Sequence, residues 1–173
     1  MSFETHLVSD SKEQTLCSER SVVGEEALTN QAPQHIFFEK GIIGFGNEQE
    51  YILAPAPKES LKPFQVLIHA QNPNIHFLVL KFGMVEETVS MALRQDIAQQ
   101  MNLDPKFIEG YYLVTTEGIE QNNLTFSINK RAPVFIDPVH QKGGQYIMKN
   151  QELPLVFILT HLSEEIRKRL RKD

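Results

Sequence analysis

The sequence predicts a mainly β protein: a single antiparallel β-barrel-like domain with about two or three short helices, including a basic helix at the C-terminus. Turn-forming residues recur about every ten residues, and the segments between them are short and either apolar or alternating, which is typical of barrels and sandwiches. Helical periodicity is confined to a few short stretches. A chain of 173 residues can bury roughly 70% of its unfolded surface, so one core suffices without disulfides or metals.

Short runs of apolar or alternating residues predict the strands of the barrel. Asn72-Pro73-Asn74 separates two of these runs and is a turn by its chemistry, so the flanking strands are expected to pair as a hairpin. Pro133 cannot donate a ladder hydrogen bond and belongs at a strand start or an edge. A second hairpin is expected where Asp137-Pro138 and Gly143-Gly144 bracket a turn. The predicted strands cover residues 35–39, 50–53, 64–68, 75–80, 89–93, 111–116, 125–129, 134–137 and 145–148.

Two internal segments predict short helices. Within residues 94–101, Ile97 and Met101 are spaced as i and i+4, which predicts about two helical turns. Asp104-Pro105 is a cap followed by a first-turn proline, which predicts a second helix through Ile108.

The C-terminal helix is predicted by its cap, its charges and its apolar stripe. Ser163 can cap it, the acids that follow lie in its first turn, and bases crowd its last turns, so that both charges complement the helix dipole. Leu162, Ile166 and Leu170 form one narrow apolar stripe. The stripe either packs on its own barrel, which is the interpretation we favour, or forms an amphipathic partner-binding surface.

Composition divides the chain into three parts. Residues 1–20 are rich in Ser, Glu, Thr and Gln, which predicts a flexible N-terminal extension. Val22-Val23 could begin a first edge strand. The barrel domain is expected over residues 21–160. Residues 161–173 are predicted to form a basic helical tail, because the last ten residues hold five bases and three acids.

Charge and cysteine content narrow the functional classes. The formal net charge is −5, whereas a nucleic-acid-binding surface must be basic to attract phosphate. We therefore expect protein partners and no direct nucleic-acid contact.

The single cysteine, Cys17, cannot form an internal disulfide, which fits a reducing compartment. No apolar stretch is long enough to cross a bilayer, and the N-terminus lacks the order of a secretory signal. We expect a cytoplasmic protein without membrane contact, and we favour a monomer.

Three glycines in six residues, Gly41, Gly44 and Gly46, raise the question of a phosphate-binding loop. Nucleotide loops place glycines in G-x-G-x-x-G or G-x-x-x-x-G-K-[ST] order and open a helix. The order here is G-x-x-G-x-G, and the next segment, 50–53, is predicted to be extended. We interpret the segment as a tight turn in which Phe45 plugs the core, and we expect no cofactor.

Candidate catalytic and metal-binding residues are few. The six histidines show no pair at metal-ligand spacing beside a cysteine or an acid cluster. His69 and His76 flank a predicted turn and could lie near each other, but two histidines alone make a weak site. No G-x-S-x-G nucleophile elbow occurs, and Cys17 lies in the polar lead, where a nucleophile cannot be preorganised. We predict no metal site, no catalytic residues and no enzyme activity.

Several short motifs together keep the order and spacing of one protein family. Asn129-x-x-Ala132-Pro133-Val134, followed by Gln145, resembles the N-L-x-A-P-I…Q signature of the flagellar assembly factor FliW family. Upstream, Ile36-x-Phe38-x-x-Gly41-Ile42-x-Gly44-Phe45 is similar to the I-x-F-x-x-G-L-P-G-F opening of that family. Pro63-Phe64 and Phe77-Leu78-Val79 resemble its P-F and A-F-x-V motifs. The departures are Ile43 in place of a proline, Lys130 in place of the usual leucine, and a degenerate Lys81-Phe82-Gly83-Met84 in place of P-F…F-F.

The resemblance implies a cytoplasmic β-barrel that binds other proteins and has no chemistry of its own. FliW-like proteins bind flagellin and also the translational repressor CsrA, and binding of CsrA relieves its repression of flagellin translation. The motif matches assign partner binding to Phe45, Asn129, Pro133 and Gln145. A structural role also fits each of them: Phe45 as core, Pro133 as edge protection, and Asn129 and Gln145 as hydrogen-bond partners of loop backbone.

Two further points stay open at this stage. Tyr111, Tyr112 and Tyr146 would be interface anchors if they are exposed. The alternative function is a small β-barrel protein- or RNA-binding module with a different partner.

Overall fold

The computed structural model describes residues 32–85, 89–118 and 123–171. The predicted extension over 1–20, Cys17 and the predicted strand at Val22-Val23 lie outside the described residues. Within the described part, nine strands form one sheet. The strands are β1 Gln34–Phe38, β2 Glu50–Pro55, β3 Gln65–His69, β4 His76–Lys81, β5 Glu109–Glu117, β6 Thr125–Ile128, β7 Val134–Asp137, β8 Lys142–Gln145 and β9 Phe157–Ile158. The helices are α1 Met91–Met101 and α2 Thr160–Leu170, and short 3-10 turns cover Glu59–Leu61 and Phe82–Met84.

Seven of the strands close into a barrel, which confirms the predicted fold class. The strand order is β4-β3-β2-β1-β8-β7-β5, and β5 pairs with β4 to complete the circle. The pairs are antiparallel except for β1 and β8, which run parallel and pair at Phe37 and Phe38. The predicted hairpin around Asn72-Pro73-Asn74 is confirmed by the antiparallel pairing of β3 with β4.

The strand β5 also carries the part of the sheet that lies outside the barrel. Its residues Glu109, Gly110 and Tyr111 pair with β7, and its last four residues pair with β6. On the other edge of β6, Ser127 and Ile128 pair with β9. The strands β6 and β9 therefore extend the barrel wall, and β9 is the last strand of the sheet.

Apolar residues of the barrel form two clusters, one on each face of the wall. Successive side chains of a strand point to opposite faces, and on β5 Tyr111 packs in one cluster while Tyr112 packs in the other. The helices cover the second cluster through Ile97 of α1 and Ile166 of α2. Tyr111, Tyr112 and Tyr146 are only 1%, 2% and 3% exposed, so these rings belong to the core and cannot anchor a partner at the surface.

The predicted strand over residues 89–93 is wrong, because a helix cap outweighs the short alternation there. The hydroxyl of Ser90 accepts a hydrogen bond from the backbone N–H of Leu93 at 3.3 Å, and α1 starts at Met91. A serine at this position satisfies one of the backbone donors that a helix leaves unpaired at its start. The predicted helix over 94–101 is confirmed and begins three residues earlier than expected.

The predicted helix from Asp104 through Ile108 is also wrong: the segment forms a turn. The guanidinium of Arg94 donates to the backbone oxygens of Pro105 and Ile108 at 3.3 and 3.0 Å. A side chain from α1 therefore satisfies carbonyls of this turn that have no backbone partner in a helix ending at Ile108.

The hairpin of β7 and β8 is confirmed, but the second strand lies earlier than predicted. Predicted over 145–148, it runs from Lys142 to Gln145 and contains both glycines that were assigned to the turn. A Cβ atom on Gly143 would lie 2.9 Å from Cζ of Phe38. Glycine is therefore needed here for close packing within a strand, and not for a turn.

The turn of this hairpin is organised by the fully buried carboxylate of Asp137. One oxygen accepts the backbone N–H groups of Val139 and His140 at 3.1 and 3.0 Å. The other accepts the backbone N–H of Asp104 at 3.2 Å and lies 2.7 Å from Nδ1 of His140. Burial alone would raise the pKa of this carboxyl, but the hydrogen bonds from His140 and Asp104 outweigh burial and hold the pKa below its ordinary value.

The helix α2 begins at Thr160, so the prediction that Ser163 caps it is wrong. Ser163 is 1% exposed; its hydroxyl donates to the oxygen of Leu159 at 2.7 Å and accepts the backbone N–H of Phe126 at 3.0 Å. The stripe of Leu162, Ile166 and Leu170 packs against the barrel core, as the favoured interpretation requires. Among the described helices, none is long and apolar enough to span a membrane.

Candidate partner-binding site

The glycine-rich segment forms a tight turn at one end of the barrel, as predicted. The backbone N–H of Phe45 donates to the oxygen of Ile42 at 2.7 Å, and Gly44 has a φ of +89° at the third position, where a type II turn favours glycine. Gly41 has a φ of +63°, and a Cβ there would lie 2.5 Å from the oxygen of Phe45. The turn therefore depends on the backbone freedom of both glycines.

The prediction that Phe45 plugs the core is wrong. Its ring is 40% exposed and rests edge-on against Phe77, with the ring centroids 5.2 Å apart. Ile42, which is 1% exposed, fills the core at this end instead. The turn thus presents Phe45 and Ile43, which is 64% exposed, at the surface.

A single side chain, Gln145 at the end of β8, ties this turn to the opposite wall. Its Oε1 accepts the backbone N–H of Ile43 at 2.9 Å, and its Nε2 donates to the backbone oxygen of Ala132 at 2.8 Å. Ile43 stands where the related family has proline, and a proline has no N–H to donate. The replacement of this proline by Ile43 therefore adds a hydrogen bond between the glycine-rich turn and Gln145.

The segment 129–132, which we call the signature turn, contains Ala132, the residue to which Gln145 donates. The side-chain oxygen of Asn129 accepts the backbone N–H groups of Arg131 and Ala132 at 2.9 and 3.2 Å. Pro133 is buried and precedes β7, and its oxygen accepts the N–H of Tyr146 at 2.9 Å. Asn129 thus stabilises the turn. Pro133, which has no backbone N–H to donate, lies immediately before β7, where this causes no loss of a ladder hydrogen bond.

Three of the four residues predicted to bind partners therefore belong to one hydrogen-bonded framework. Asn129, Pro133 and Gln145 make backbone contacts within the chain, as expected if these residues have a structural role. Phe45 lies at the end of the same framework and has a ring face open to solvent. Direct partner contact by these four residues stays a prediction.

The framework borders an open cleft of about 380 Å³ between the glycine-rich turn, the end of β8 and the C-terminal end of α1. Met101 of α1 fits over Gly144, where a Cβ would lie 3.0 Å from the methionine sulfur. The rim carries two exposed apolar side chains, Ile43 and Ile147, of which Ile147 is 54% exposed. Exposed apolar side chains of this kind, above backbone groups that are held by hydrogen bonds, suit contact with a polypeptide.

The wall formed by α1 is fixed by a polar contact behind the cleft. The hydroxyl of Tyr146 donates to Asp96, and Nζ of Lys149 lies 3.0 Å from the same carboxylate. Burial, followed by the hydrogen bond to Asp96, raises the pKa of Tyr146 to about 12, so the phenol stays protonated and serves as a donor. Its role here is to position α1.

The histidines that flank the β3–β4 turn support that turn. Nδ1 of His69 accepts the backbone N–H of Asn72 at 2.9 Å, and its Nε2 lies 2.7 Å from Glu48. Nδ1 of His76 lies 3.1 Å from the oxygen of Pro73. In the part of the chain that the structure describes, no three His, Cys, Asp or Glu residues are grouped to hold a metal ion.

The sequence did not identify the apolar rim or the contribution of α1. Ile147 lies in the segment that was assigned to a paired strand, and Met101 was treated as part of a helix stripe. The available signal was the Gly143-Gly144 pair, because two glycines inside a strand indicate close approach by another element.

Comparison with known proteins places the chain in a family. A model of the FliW protein family matches residues 19–159, which includes the glycine-rich turn, the signature turn and β8. The chain belongs to the FliW family. The resemblance stated from the motifs is thereby confirmed.

Individual FliW proteins support this placement. The chain is 24% identical over 136 residues to the flagellar assembly factor FliW of Caldicellulosiruptor saccharolyticus, covering 77% of this chain and 85% of that protein. It is 26% identical over 124 residues to that of Clostridium kluyveri, covering 72% and 83%. A crystal structure of the flagellar assembly factor FliW matches with a TM-score of 0.57 at 21% identity, over 73% of this chain and 85% of that one, and shows that the fold is shared.

Proposed function

We propose that this FliW-family protein is a cytoplasmic flagellar assembly factor that binds flagellin and the translational repressor CsrA, and that binding CsrA relieves repression of flagellin translation. The observation that carries the proposal is the family match over residues 19–159. The framework around Gln145 adds support, because Gln145 bonds the backbone oxygen of Ala132 and so brings two positions of the family signature into contact.

The surface beside this framework favours binding over catalysis. Exposed apolar side chains at a cleft rim contribute to affinity because their burial removes apolar area from water, at about 25 cal/mol per Å². Ile43 and Ile147 provide such area at the rim, and Phe45 adds a partly exposed ring on the adjoining turn. The backbone beneath them is held by Gln145 and the signature turn, so little conformational entropy is lost when a partner docks.

We assign direct contact to Phe45, and a supporting role to Asn129, Pro133 and Gln145. The supporting residues hold the turn whose side chains meet the partner, whereas Phe45 offers a half-exposed aromatic ring. Exposed aromatic rings next to rigid backbone are frequent sources of interface energy.

Regulation follows from shared use of one protein by two partners. Flagellin that occupies the protein lowers the free amount available to CsrA, and export of flagellin raises it again. Flagellin translation would thereby follow the amount of flagellin that remains in the cell.

The test is calorimetric titration of the full-length protein with purified flagellin and with purified CsrA. We expect saturable binding of both, and at least tenfold weaker binding of one or both partners by Phe45→Ala combined with Ile43→Ser. Val139→Ser changes an equally exposed apolar residue, 59% exposed, on the β7–β8 turn and serves as the control.

Absence of binding to both partners by the unmodified protein would overturn the proposed function. A salt-dependent shift of short RNA by the protein alone would instead support the alternative of a nucleic-acid-binding barrel. Equal binding by the double variant and the unmodified protein would remove the turn from the contact surface.

A further inference from the structure

A buried histidine connects the β3–β4 turn with the segment that follows the glycine-rich turn. His69 is the last residue of β3 and is 6% exposed. Its Nδ1 accepts the backbone N–H of Asn72 at 2.9 Å, and its Nε2 lies 2.7 Å from Oε2 of Glu48. One ring therefore contacts two separate segments of the chain, each through a different nitrogen.

The hydrogen bonds define the protonation of this ring. A backbone N–H can only donate, so Nδ1 of His69 accepts and carries no proton. The proton of the neutral ring is then on Nε2, which donates to the carboxylate of Glu48. Both ring nitrogens are satisfied within the chain, as a buried polar side chain requires. The contact with Glu48 is thus a directed hydrogen bond from a neutral imidazole.

Glu48 extends this contact to the backbone of the glycine-rich turn. Its N–H donates to the backbone oxygen of Phe45 at 3.1 Å, and its side chain is 33% exposed. The carboxylate therefore bonds to a buried ring while the N–H of the same residue bonds to the turn. A displacement of Glu48 would change the position of Phe45.

Side-chain hydrogen bonds hold the glycine-rich turn at both ends. At the start, Gln145 accepts the N–H of Ile43, and at the end, His69 donates to Glu48. Residues 43–47 between these contacts are exposed, so burial of their side chains fixes the turn less than it fixes a core segment. The two contacts therefore restrict the backbone on either side of the exposed aromatic ring.

Aromatic contacts connect His69 to the same surface by a second route. The ring of His69 packs edge-on against Tyr51, with the centroids 5.6 Å apart. Phe77 lies 6.2 Å from Tyr51 and 5.2 Å from Phe45, measured between ring centroids. These distances lie in the range of favourable aromatic pairs. Hydrogen bonds and packing thus both lead from His69 to Phe45.

Core packing alone does not explain a histidine at this position. Burial of an imidazole costs free energy unless its nitrogens are bonded, and an apolar side chain would fill the same space without that cost. What the histidine adds is a fixed relation between two turns. A contact surface that is fixed in advance loses less conformational entropy when a partner docks.

We propose that His69 is a positioning residue for partner binding: its Nε2–H holds Glu48, and Glu48 holds the turn that presents Phe45. This rests on the proposed function, in which Phe45 contacts the partner. Neither His69 nor Glu48 needs to contact the partner itself, and loss of either weakens binding through Phe45.

The first experiment separates the two nitrogens of the ring. In His69→Gln the side-chain nitrogen takes the place of Nε2, and in His69→Asn the side-chain oxygen takes the place of Nδ1. Both variants lose the packing against Tyr51, so both thermal midpoints should fall. Calorimetric titration of the full-length variants with flagellin and with CsrA is carried out below both midpoints.

The result applies to each partner whose binding Phe45→Ala weakens. We expect affinity within about threefold of the unmodified protein for His69→Gln and a loss of roughly fivefold or more for His69→Asn, because only the glutamine keeps a donor for Glu48. A purely structural role would weaken binding equally in both variants, and that outcome would overturn the proposal.

Variants of Glu48 test the same contact without changing a core residue. Glu48→Gln keeps an oxygen acceptor for the neutral Nε2–H and should bind within about twofold of the unmodified protein, whereas Glu48→Ala should lose roughly fivefold or more. His76→Gln changes an exposed histidine of the β3–β4 turn, which contacts Pro73, and serves as the control. Unchanged affinity for Glu48→Ala would overturn the proposal, and equal losses for both Glu48 variants would contradict the neutral ring.

A double substitution tests whether the effect depends on Phe45. In a Phe45→Ala background, Glu48→Ala should weaken binding by less than about twofold, because the ring that it positions is already absent. An equal fold loss in the two backgrounds would mean that Glu48 acts through a contact of its own, and would contradict the positioning role.

Amide hydrogen exchange tests the position of the turn without a partner. Exchange at Phe45 and at residue 48 should become roughly fivefold faster in Glu48→Ala and His69→Asn, and should stay within about twofold in His69→Gln. If the unmodified protein binds neither flagellin nor CsrA, the proposed function is overturned, whereas this exchange pattern separately tests the connection from His69 to the turn. Unchanged exchange in Glu48→Ala would overturn that connection.

Discussion

The signature turn and residues 155–158, which we call the edge segment, are neighbours in the wall, yet they satisfy their backbone groups in opposite ways. In residues 129–132, side chains of the chain itself bond the backbone: Asn129 holds two N–H groups, and Gln145 holds a carbonyl. The edge segment consists of exposed apolar residues, and Phe157 and Ile158 of this segment pair with β6. The first region pairs its backbone with side chains of the chain itself, whereas the second pairs its backbone with a neighbouring strand and exposes its side chains.

The difference indicates which residues stabilise the fold of this barrel and which are available for recognition. Substitutions in the framework should cost folding free energy, because they leave buried polar groups unpaired or force atoms together. Substitutions in the edge segment should cost little stability, because its side chains are exposed. The predictions below test this division, beginning with the framework position that should matter most.

Asp137→Ala should cost about 3 kcal/mol of unfolding free energy, because the backbone N–H groups of Asp104, Val139 and His140 lose the acceptor that this buried carboxylate provides. Urea denaturation of the full-length protein measures the loss. Glu117→Ala, at an exposed acid on β5, is the control and should change stability by less than about 0.5 kcal/mol.

The same carboxylate should make stability depend on pH. Its pKa is held below the ordinary value in the folded protein, and an unfolded Asp titrates near a pKa of about 3.9. The contribution is therefore fully present above about pH 4 and is lost as pH falls through the lower, folded pKa. The stability gap between the unmodified protein and Asp137→Ala should narrow on acidification, and a gap independent of pH would contradict this assignment.

Gly143→Ala should destabilise the protein by about 1–3 kcal/mol, because the added methyl overpacks against Phe38 and the backbone of Phe135. Gly83→Ala is the matched control, since a Cβ at Gly83 would meet no atom within 4 Å. The midpoint of thermal unfolding compares the two. Equal midpoints would show that β8 can shift to admit the methyl group.

Gln145→Ala should cost about 1–2 kcal/mol, because it removes two hydrogen bonds from the framework. The amide of Ile43 should exchange faster with solvent, while the amide of Tyr146, bonded to Pro133, should keep its protection. Gln99→Ala, on the exposed face of α1, provides the baseline. Unaltered exchange at Ile43 would mean that the turn does not need its bond to Gln145.

Ile43→Pro should change stability by less than about 1 kcal/mol. It restores the residue found in the related family motif and restricts the unfolded chain, which offsets the lost N–H bond to Gln145. Chemical denaturation alongside Ile43→Ala separates the loss of the side chain from the loss of the donor. A larger loss with proline than about 1 kcal/mol beyond alanine would show that the N–H bond dominates.

Ile158→Thr should have the smallest effect on stability, within about 0.5 kcal/mol, because the side chain is already largely solvated and threonine keeps the β-branch. The same substitution at the buried Ile136 of β7, which is 1% exposed, should cost several times more. Comparable losses at the two positions would show that the edge segment is part of the folding core.

The sequence predicted most strands because each is a short local pattern. The runs that became β1 to β7 have alternating or continuous apolar residues between turn signals, and burial of those side chains holds them in the sheet. It also predicted the turn at Gly41 to Gly46 and the family to which the chain belongs. It could not predict that Ile42, and not Phe45, would fill the core, because both are apolar and only the closed barrel decides which one fits.

Where the local sequence pattern predicted the wrong element, contacts with other parts of the chain determined the structure. Ser90 caps a helix over residues that alternate like a strand, and Arg94 bonds the carbonyls of Pro105 and Ile108 in the segment that forms a turn instead of the predicted helix. Gly143-Gly144 resembles a turn in sequence but lies in a strand, since Phe38 and Met101 occupy the space of its missing side chains.

By itself, the sequence predicted the class of fold through periodicity and turn chemistry, and its motif resemblance indicated the family and singled out Asn129, Pro133 and Gln145. Only the tertiary structure decided that Gln145 bonds Ile43, 102 positions away in the chain, and that residues 155–158 lie exposed at the end of the described sheet. Strand register and exposure are set by which distant segments meet, and no local pattern encodes that meeting.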